Sequence, residues 1–531
     1  MAKFIFVTGG VLSGLGKGVT GASIGNLLTA RGKKVFMMKF DQYLNVDAGT
    51  LNPGEHGECF VTDDGAETDL DLGHYERFTD QNLTRESSVM TGQIYQTIIE
   101  NEREGKYLGK TIQVIPHLTD EIKRRMTDAA KKSNADFVIV EIGGTIGDYE
   151  GLHFIEAIRQ MRRDHGIEGT LYCHIGFLPW METTEELKTK PMQNSIRDLN
   201  NFGITPDIAF CRADHEISKR NLEKISTFCN IDRDAVVPLE TVPNVYEIPL
   251  ILEKFNMTKV IERKMKLRLG KRIDKSWIEL NKDIAAKKKK EINVALVGKY
   301  MDMKDTYYSI TEALKSASYK NNVKLNIIWT DSEHIEINGA EKYLKDVDGI
   351  VVPGGFGNRG IEGKILAAKY AREKKIPYLG LCLGMQIAVI EFARHVLKTE
   401  KCNSTEFDDK VENPVIDIME DQKSISSKGG TMRLGAYPCV LSKDSTSRKL
   451  YATNKISERH RHRFEFNNKY REVLEKAGLI IAGTSPDNNL VEIIEHKDHP
   501  FFIASQFHPE FKSRPNRPHP LFDGFIKAVS K

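Results

Sequence analysis

Short apolar runs alternate with longer stretches of helical character from the N-terminus to about Val260. Phe4–Thr8, Val35–Lys39, Phe137–Ile142, Thr170–Phe177 and Pro206–Cys211 are examples. These runs are apolar on both faces, which predicts buried parallel strands with helices on either side. The pattern breaks between Glu262 and Glu291. There Arg263, Lys264, Lys266, Arg268, Lys271, Arg272 and the Lys287–Lys290 run predict a helical, solvated linker. A new strand–glycine pattern starts at Ile292–Gly298 and continues through Val347–Pro353, Pro377–Leu381 and Phe501–Gln506. The expected fold is α/β, with two doubly wound, mostly parallel-sheet domains. Residues 1–265 form the first, 266–291 the linker and 292–531 the second. Lys398–Ser426 is polar and turn-rich, an excursion at the edge of the second domain.

Composition adds exclusions. A chain of 531 residues has room for two or three domains. Lys+Arg 77 against Asp+Glu 74 leaves a net charge of +3, so bulk charge gives no case for nucleic acid. No apolar run approaches the roughly 20 residues of a membrane span. Lys3–Thr8 runs into a glycine loop without a small-residue cleavage site and reads as a first strand. The seven cysteines are scattered with no C-x-x-C pair. That count predicts a reducing, cytoplasmic setting without a disulfide frame or zinc knuckle.

Two stretches carry chemistry. The first is Thr8-Gly-Gly-Val-Leu-Ser13-Gly-Leu-Gly-Lys17-Gly-Val-Thr20, which joins the first strand to a helix expected to be amphipathic and to end near Arg31. Backbone amides of such a loop cradle phosphates, and Lys17 reaches the terminal ones. Position 11 is Val, with Gly10 one place early, and Gly18 replaces the usual hydroxyl residue. Magnesium would then find oxygens elsewhere, with Asp71 and Glu141 as candidates. Glu141 ends an apolar strand, where sheets of this class open their ligand crevice. A purely structural glycine loop is the alternative. Downstream, Lys188-Thr-Lys190-Pro-Met-Gln193 places two cations side by side, with Pro191 expected to hold them out of helix. They suit an anionic ligand, although an exposed basic turn has the same pattern. Asp148 and Glu150 could accept hydrogen bonds from a base or ribose.

The second stretch is Gly380-Leu-Cys382-Leu-Gly384, after an apolar run and before a helix-like segment. Flanking glycines permit a turn sharp enough to hold a nucleophile proud of the sheet edge. A buried free cysteine beside packing glycines is the other reading. His508-Pro-Glu510 supplies the oriented base a nucleophilic cysteine needs. The Pro353-Gly-Gly355-Phe-Gly corner could add oxyanion amides beside the amide after Cys382.

With Cys382, the glycine corner and His508-Pro-Glu510 in one domain, the second half resembles class I glutamine amidotransferases. The whole chain resembles the CTP synthase family. The resemblance rests on Ser13-Gly-Leu-Gly-Lys17-Gly, Glu67-Thr-Asp-Leu-Asp71-Leu-Gly-His-Tyr-Glu-Arg-Phe, Glu141-Ile-Gly-Gly-Thr-Ile-Gly-Asp148-Tyr-Glu150, Lys188-Thr-Lys190-Pro-Met-Gln193 and the triad. It implies a P-loop, dethiobiotin-synthetase-like first domain that phosphorylates O4 of UTP with ATP and Mg2+. Ammonia from glutamine then displaces phosphate to give CTP.

The resemblance also implies residue roles. Ser13, Gly14, Leu15, Gly16, Lys17, Gly18, Val19 and Lys39 would bind ATP, with Glu240, Thr241 and Val242 near adenine. Asp71 and Glu141 would bind metal, Asp71 also serving the ATP side. Ser13, Asp148, Tyr149, Glu150, Lys188, Thr189, Lys190, Pro191, Met192, Gln193 and Lys224 would bind UTP or CTP. Cys382, His508 and Glu510 would be the triad, and Gly355, Leu383, Gly384, Met385, Gln386, Glu406 and Arg463 would contact glutamine. GTP as activator, CTP as feedback inhibitor, homotetramers and filaments are implied too, with Arg359 a candidate lid residue. Three departures stand out. Gly54-Glu55 precede His56, where the family usually has an aromatic residue, and His56 is expected on the ammonia passage. Met192 stands where a small polar residue is frequent, and Cys59 where Val is common. Rival readings are an amidoligase acting on a carboxylate, a P-loop ATPase switch and a filament-forming structural protein.

Overall fold

The computed structural model describes residues 2–270, 274–301, 303–419, 422 and 430–531. The chain divides into two compact units. The first is Met1–Asp47 with Asp71–Asn281, and the second is Ala48–Leu70 with Lys282–Lys531. The sequence boundary therefore misses one excursion. The chain leaves the first unit at Asp47, contributes 23 residues to the second and returns at Asp71.

In the first unit the strands are β1 (Lys3–Gly9), β2 (Val35–Asp41), β3 (Ser88–Met90), β4 (Phe137–Ile142), β5 (Thr170–Phe177), β6 (Ile208–Ala213) and β7 (Val236–Glu240). They form one parallel sheet in the order β7-β6-β5-β1-β4-β2-β3. β2 and β4 are buried throughout, which is why their sequences are apolar on both faces. Because all strands run the same way, the ends of β1, β2, β4 and β7 share one sheet edge. That edge carries the glycine loop, Lys39, Glu141 and Glu240.

The helix after the glycine loop, Lys17–Ala30, is not amphipathic. Eleven of its residues are buried, from Lys17 to Leu28. Glycines make that possible. A Cβ on Gly21 would lie 3.5 Å from Val7, and one on Gly25 would lie 3.0 Å from Thr79 and 3.2 Å from the Met37 sulfur. The helix is thus clasped on several sides rather than along one stripe.

In the second unit β8 (Lys290–Gly298), β9 (Val323–Asp331), β10 (Gly349–Val352) and β11 (Tyr378–Leu381) are followed by β12 (Arg433–Leu441), β13 (Lys455–His462), β14 (Leu479–Thr484), β15 (Val491–His496) and β16 (Phe502–Ser505). The order β9-β8-β10-β11-β16-β15-β14-β12-β13 is parallel up to β16 and antiparallel beyond. The polar excursion contains two short strands, Cys402–Ser404 and Asn413–Ile418, paired with Phe464–Phe466. Its end, apart from Gln422, lies outside the described residues.

The basic stretch is less solvated than its composition suggests. The helix Lys275–Ala285 buries Trp277 and Leu280. Trp277 donates from Nε1 to the Tyr246 carbonyl at 2.8 Å and packs on Phe78 and Tyr246. Arg263 reaches Asp232 at 2.7 Å, and Lys266 reaches Glu168 at 2.7 Å. These cations pair with acids of their own unit, while Lys271 and Arg272 lie outside the described residues. Trp277→Ala should therefore cost the first unit about 3–5 kcal/mol, read by calorimetry as a lower thermal midpoint. A change below about 0.5 kcal/mol, the range of ordinary surface substitutions, would show the aromatic to be dispensable.

Candidate active site

The phosphate loop begins where β1 ends. Val11 has φ 81°, Gly14 70° and Gly16 84°. Only glycine adopts such angles without cost, so Val11 is a strained β-branched residue where the usual motif has glycine. Gly16 caps the helix from the left-handed region, and Thr20 N–H donates to the Gly16 carbonyl at 2.9 Å. Lys17 is buried and donates to the Gly144 carbonyl at 2.7 Å.

Beyond the loop, Lys39 pairs with Asp71 and lies 3.3 Å from Asp41. Tyr75 donates its hydroxyl to Glu141. Burial would raise the Asp71 pKa, but the charges of Lys39, then His74 and Lys17, outweigh it and hold the carboxyl below its usual range. Burial and the Asp71 charge push Glu141 the other way, to about 7. Two carboxylates so placed repel unless a cation joins them, which suits a hard ion such as magnesium completed by phosphate oxygens and water. Gly18 is explained by the same pair. A Cβ there would lie 2.9 Å from Asp71 Oδ1 and 3.0 Å from Glu141 Oε2. The carboxylates occupy the space that a Ser or Thr side chain would need.

The Lys188–Gln193 segment differs from expectation. Pro191 does not hold it out of helix; it stands in the first turn of the helix Lys190–Asn201. Proline lacks only an N–H that has no partner there anyway. Lys188 precedes the helix and pairs with Glu186, whose carboxyl also feels Lys224. Met192 is fully buried against Gly176, where a Cβ would meet its sulfur at 1.9 Å. Gln193 donates to Thr189 Oγ1 at 3.0 Å. Asp148 accepts from the Thr145 amide at 2.6 Å and hydroxyl at 2.8 Å, so it closes its own turn, while Tyr149 and Glu150 are exposed. Glu240 accepts from the Ile217 amide at 2.8 Å, and Thr241 donates to Asp214 at 2.5 Å. Val242, half-buried, follows Thr241.

In the second unit Cys382 sits between β11 and the helix Leu383–Leu397 with φ 51° and ψ −100°. Its amide donates to the Ser505 carbonyl at 2.7 Å, and its carbonyl accepts from Met385 and Gln386. The flanking glycines are sterically required. A Cβ on Gly380 would lie 2.7 Å from the Gly384 carbonyl oxygen, and one on Gly384 would lie 2.1 Å from that of Val352. His508 Nδ1 hydrogen-bonds Glu510 Oε1 at 2.7 Å. The imidazole and the thiol share a wall, since a Cβ on Gly354 would lie 2.8 Å from His508 Cε1 and 3.6 Å from Cys382 Cβ. His508 Nε2 makes no closed hydrogen bond, which leaves it for proton exchange. Burial disfavours a charged His508, but Glu510 and then Cys382 overcome it and lift its pKa to about 10.

A cavity of about 210 Å³ opens on Cys382, His508 and Glu510 within the second unit. Gly354, Gly355, Cys382, His508 and Glu510 line one side; Gly49, Leu51, Pro53, Glu58 and Cys59 of the inserted segment line the other. Arg461, which no sequence motif marks, also lines it and bonds Glu67 at 2.8 Å. Glu58 is buried and accepts from the Ser309 hydroxyl at 2.6 Å. Cys59 faces the cavity, but exposed His56 is not among its lining residues. Gly54 faces the ring of Tyr300, 3.5 Å from its Cβ position, so an aromatic ring still borders this cavity despite Gly54-Glu55.

Of the expected glutamine contacts, Gly355 lies on the cavity and Leu383 packs 3.5 Å from its Cβ position. Met385 is core, and Gln386 donates to the Phe464 carbonyl at 2.9 Å, so these two side chains are structural. Glu406 accepts from the Gly357 amide at 2.8 Å, and burial raises its pKa. Arg463 bonds Gln422 at 2.6 Å and Thr431 at 2.7 Å. Neither lines the cavity.

Comparison with known proteins gives these sites a context. Residues 3–267 match the family described as CTP synthase N-terminus, and residues 302–528 match glutamine amidotransferase class-I. The chain is 55% identical over 526 residues to the CTP synthase of Clostridium kluyveri, covering 99% of this chain and 98% of that protein. The chain belongs to the CTP synthase family. The CTP synthase of Roseiflexus castenholzii is 56% identical over 532 residues, covering 100% of this chain and 96% of the relative. Among solved structures, the glutaminase domain of Trypanosoma brucei CTPS with bound acivicin is 41% identical and covers 45% of this chain and 94% of its own, with a TM-score of 0.43.

The charge on His508 fixes a pH dependence for this family member. An unperturbed histidine titrates near ~6.5, whereas His508 in the fold titrates at about 10. Its contribution to stability is complete below the first value and is lost as pH rises through the second. Glu510→Gln removes the leading raising influence and leaves burial, which acts downward. The fall in thermal midpoint from about pH 7 to about pH 10 should be shallower in the variant than in the parent. Parallel curves would contradict the ion pair.

Proposed function

We propose that the protein makes CTP from UTP, ATP and glutamine, with the roles below. The observation carrying this reading is one chain that holds a phosphate loop beside the half-buried Asp71 and buried Glu141 carboxylates and a separate Cys382–His508–Glu510 constellation lining a cavity. Cys382 Sγ attacks the side-chain carbonyl of glutamine. The first-turn amides after Cys382, with Gly355, face the developing oxyanion. His508 gives a proton to the departing nitrogen, the C–N bond breaks, and ammonia leaves a thioester on sulfur. Water then hydrolyses the thioester to glutamate, and His508 recovers the proton. Release into the cavity rather than into bulk water favours neutral, and therefore nucleophilic, ammonia.

In the first unit Lys17 and Lys39 stabilise the phosphates of ATP, and Lys188, Lys190 and Lys224 those of UTP. Asp71 and Glu141 would hold magnesium, which neutralises phosphate charge when bound. Transfer of the γ-phosphoryl group to O4 of UTP turns a poor leaving oxygen into phosphate, and ammonia displaces it at C4. ADP, phosphate and CTP leave. No helix among the described residues is long and apolar enough to cross a membrane, in keeping with a cytoplasmic enzyme. Tetramers, filaments, activation by GTP and inhibition by CTP belong to the same reading.

Amide-labelled glutamine with UTP, ATP and magnesium should place its label on the 4-amino group of CTP; unlabelled CTP or none would overturn the assignment. Cys382→Ala should abolish glutamine-dependent synthesis and spare synthesis from ammonia, and loss of both in a folded variant would sink the two-site scheme. Gly18→Ser, which restores the usual motif but drives a Cβ into Asp71 and Glu141, should lower ammonia-dependent turnover about 10²-fold. Unchanged turnover would remove the metal role from that pair.

A further inference from the structure

The first unit contains a buried polar chain that the reaction scheme does not use. Thr8 Oγ1 hydrogen-bonds His174 Nδ1 at 2.9 Å, and His174 Nε2 hydrogen-bonds Ser195 Oγ at 2.8 Å. All three residues are buried, with His174 at 0% exposure. They come from three places. Thr8 is the penultimate residue of β1, just before the phosphate loop, His174 lies within β5, and Ser195 is in the helix that starts at Lys190. The loop and the helix also touch directly. A Cβ on Gly10 would fall 1.6 Å from Ser195 Oγ, so the loop backbone rests on that hydroxyl.

The ring is held neutral. Burial and the charge of Lys17 lower its pKa to about 3. A neutral imidazole has one donor and one acceptor nitrogen, so both bonds can be made, with the Thr8 and Ser195 hydroxyls turning to match. Thr8 can also donate to the Cys173 carbonyl at 3.3 Å. A buried imidazole that loses either partner has no water to replace it. Neither Thr8 nor Ser195 can then shift alone without leaving a nitrogen of His174 unsatisfied. Two packing contacts add stiffness: Gly10 N–H donates to the Ile175 carbonyl at 3.0 Å, and Met192 fills the space over Gly176.

We propose that His174 is a positioning residue that couples the two nucleotide sites of this unit, tying the ATP loop through Thr8 to the Lys190–Asn201 helix through Ser195. Occupancy of either site fixes the geometry of the other, and linkage makes the effect reciprocal. The proposal rests on reading Lys188, Lys190 and Gln193 as the UTP side.

Calorimetric titration of the full chain with UTP, with and without magnesium and a non-hydrolysable ATP analogue, tests it. The analogue should tighten UTP by about five-fold or more in the parent, and by less than about two-fold in Thr8→Val and Ser195→Ala. UTP affinity without the analogue should be unchanged in both. His174→Gln, which keeps a polar atom near Nε2 only, should resemble Thr8→Val. Thermal midpoints identify any variant that fails to fold, and the remaining two then decide. Coupling retained in folded variants, or UTP binding lost without the analogue, would overturn the proposal. No coupling in the parent would overturn it while leaving both sites standing. No UTP binding by the parent under any condition would instead overturn the reading of the UTP side.

Discussion

The backbone at Cys382 is the constraint on which the second unit depends. A non-glycine residue at φ 51° and ψ −100° is unfavourable and persists only where its surroundings fix it. Here they do so from three directions. The Ser505 carbonyl on β16 takes the Cys382 amide, the Val352 carbonyl on β10 presses on Gly384, and the Tyr378 hydroxyl donates to the Gly384 carbonyl at 2.8 Å. β10, β11 and β16 are neighbours in the sheet, so their pairing holds the elbow in place. The same β16 runs on through Gln506 to His508, whose amide donates to the Arg459 carbonyl at 2.8 Å. Cys382 and His508 are thus placed by adjacent strands, and their separation is a property of the sheet.

The phosphate loop follows a different rule. Its backbone is strained at Val11, yet that residue is exposed. What surrounds the loop is polar: Asp71 and Glu141 stand over Gly18, Lys17 binds the Gly144 carbonyl, and Ser195 lies against Gly10. The departures from the usual motif are therefore not defects. Gly18 yields its volume to two carboxylates, and Gly10 yields its volume to a serine of a distant helix.

The inserted segment Ala48–Leu70 ties its own unit together. Asp63 bonds Arg459 at 2.6 Å and Glu67 bonds Arg461 at 2.8 Å, both on β13, while Glu58 accepts from Ser309. Removing one partner of such a desolvated pair would leave the other charge uncompensated, which is what holds the segment to its partners. The arginines that anchor this segment also bear the carbonyls against which the triad is set: Arg461 O lies 3.7 Å from Cys382 Sγ. Docking of the segment and alignment of the triad share the same strand.

The sequence alone determined the two α/β units, the strand–loop–helix at Lys17, the elbow at Cys382 and its partners His508 and Glu510. These features are local. Apolar runs, glycine spacing and a two-residue His–Glu interval follow from chain geometry within a few residues. The sequence could not show that Ala48–Leu70 leaves its unit, because nothing in its composition marks where a loop docks. It misjudged Pro191, whose effect depends on whether a helix begins there, and the solvation of Trp277, which depends on what Phe78 and Tyr246 offer it. Arg461 and His174 were invisible for the same reason: each matters through groups tens to hundreds of residues away. Motifs fix which groups can react; only the tertiary structure decides which distant residues hold them, because burial and partnership are made by long-range packing.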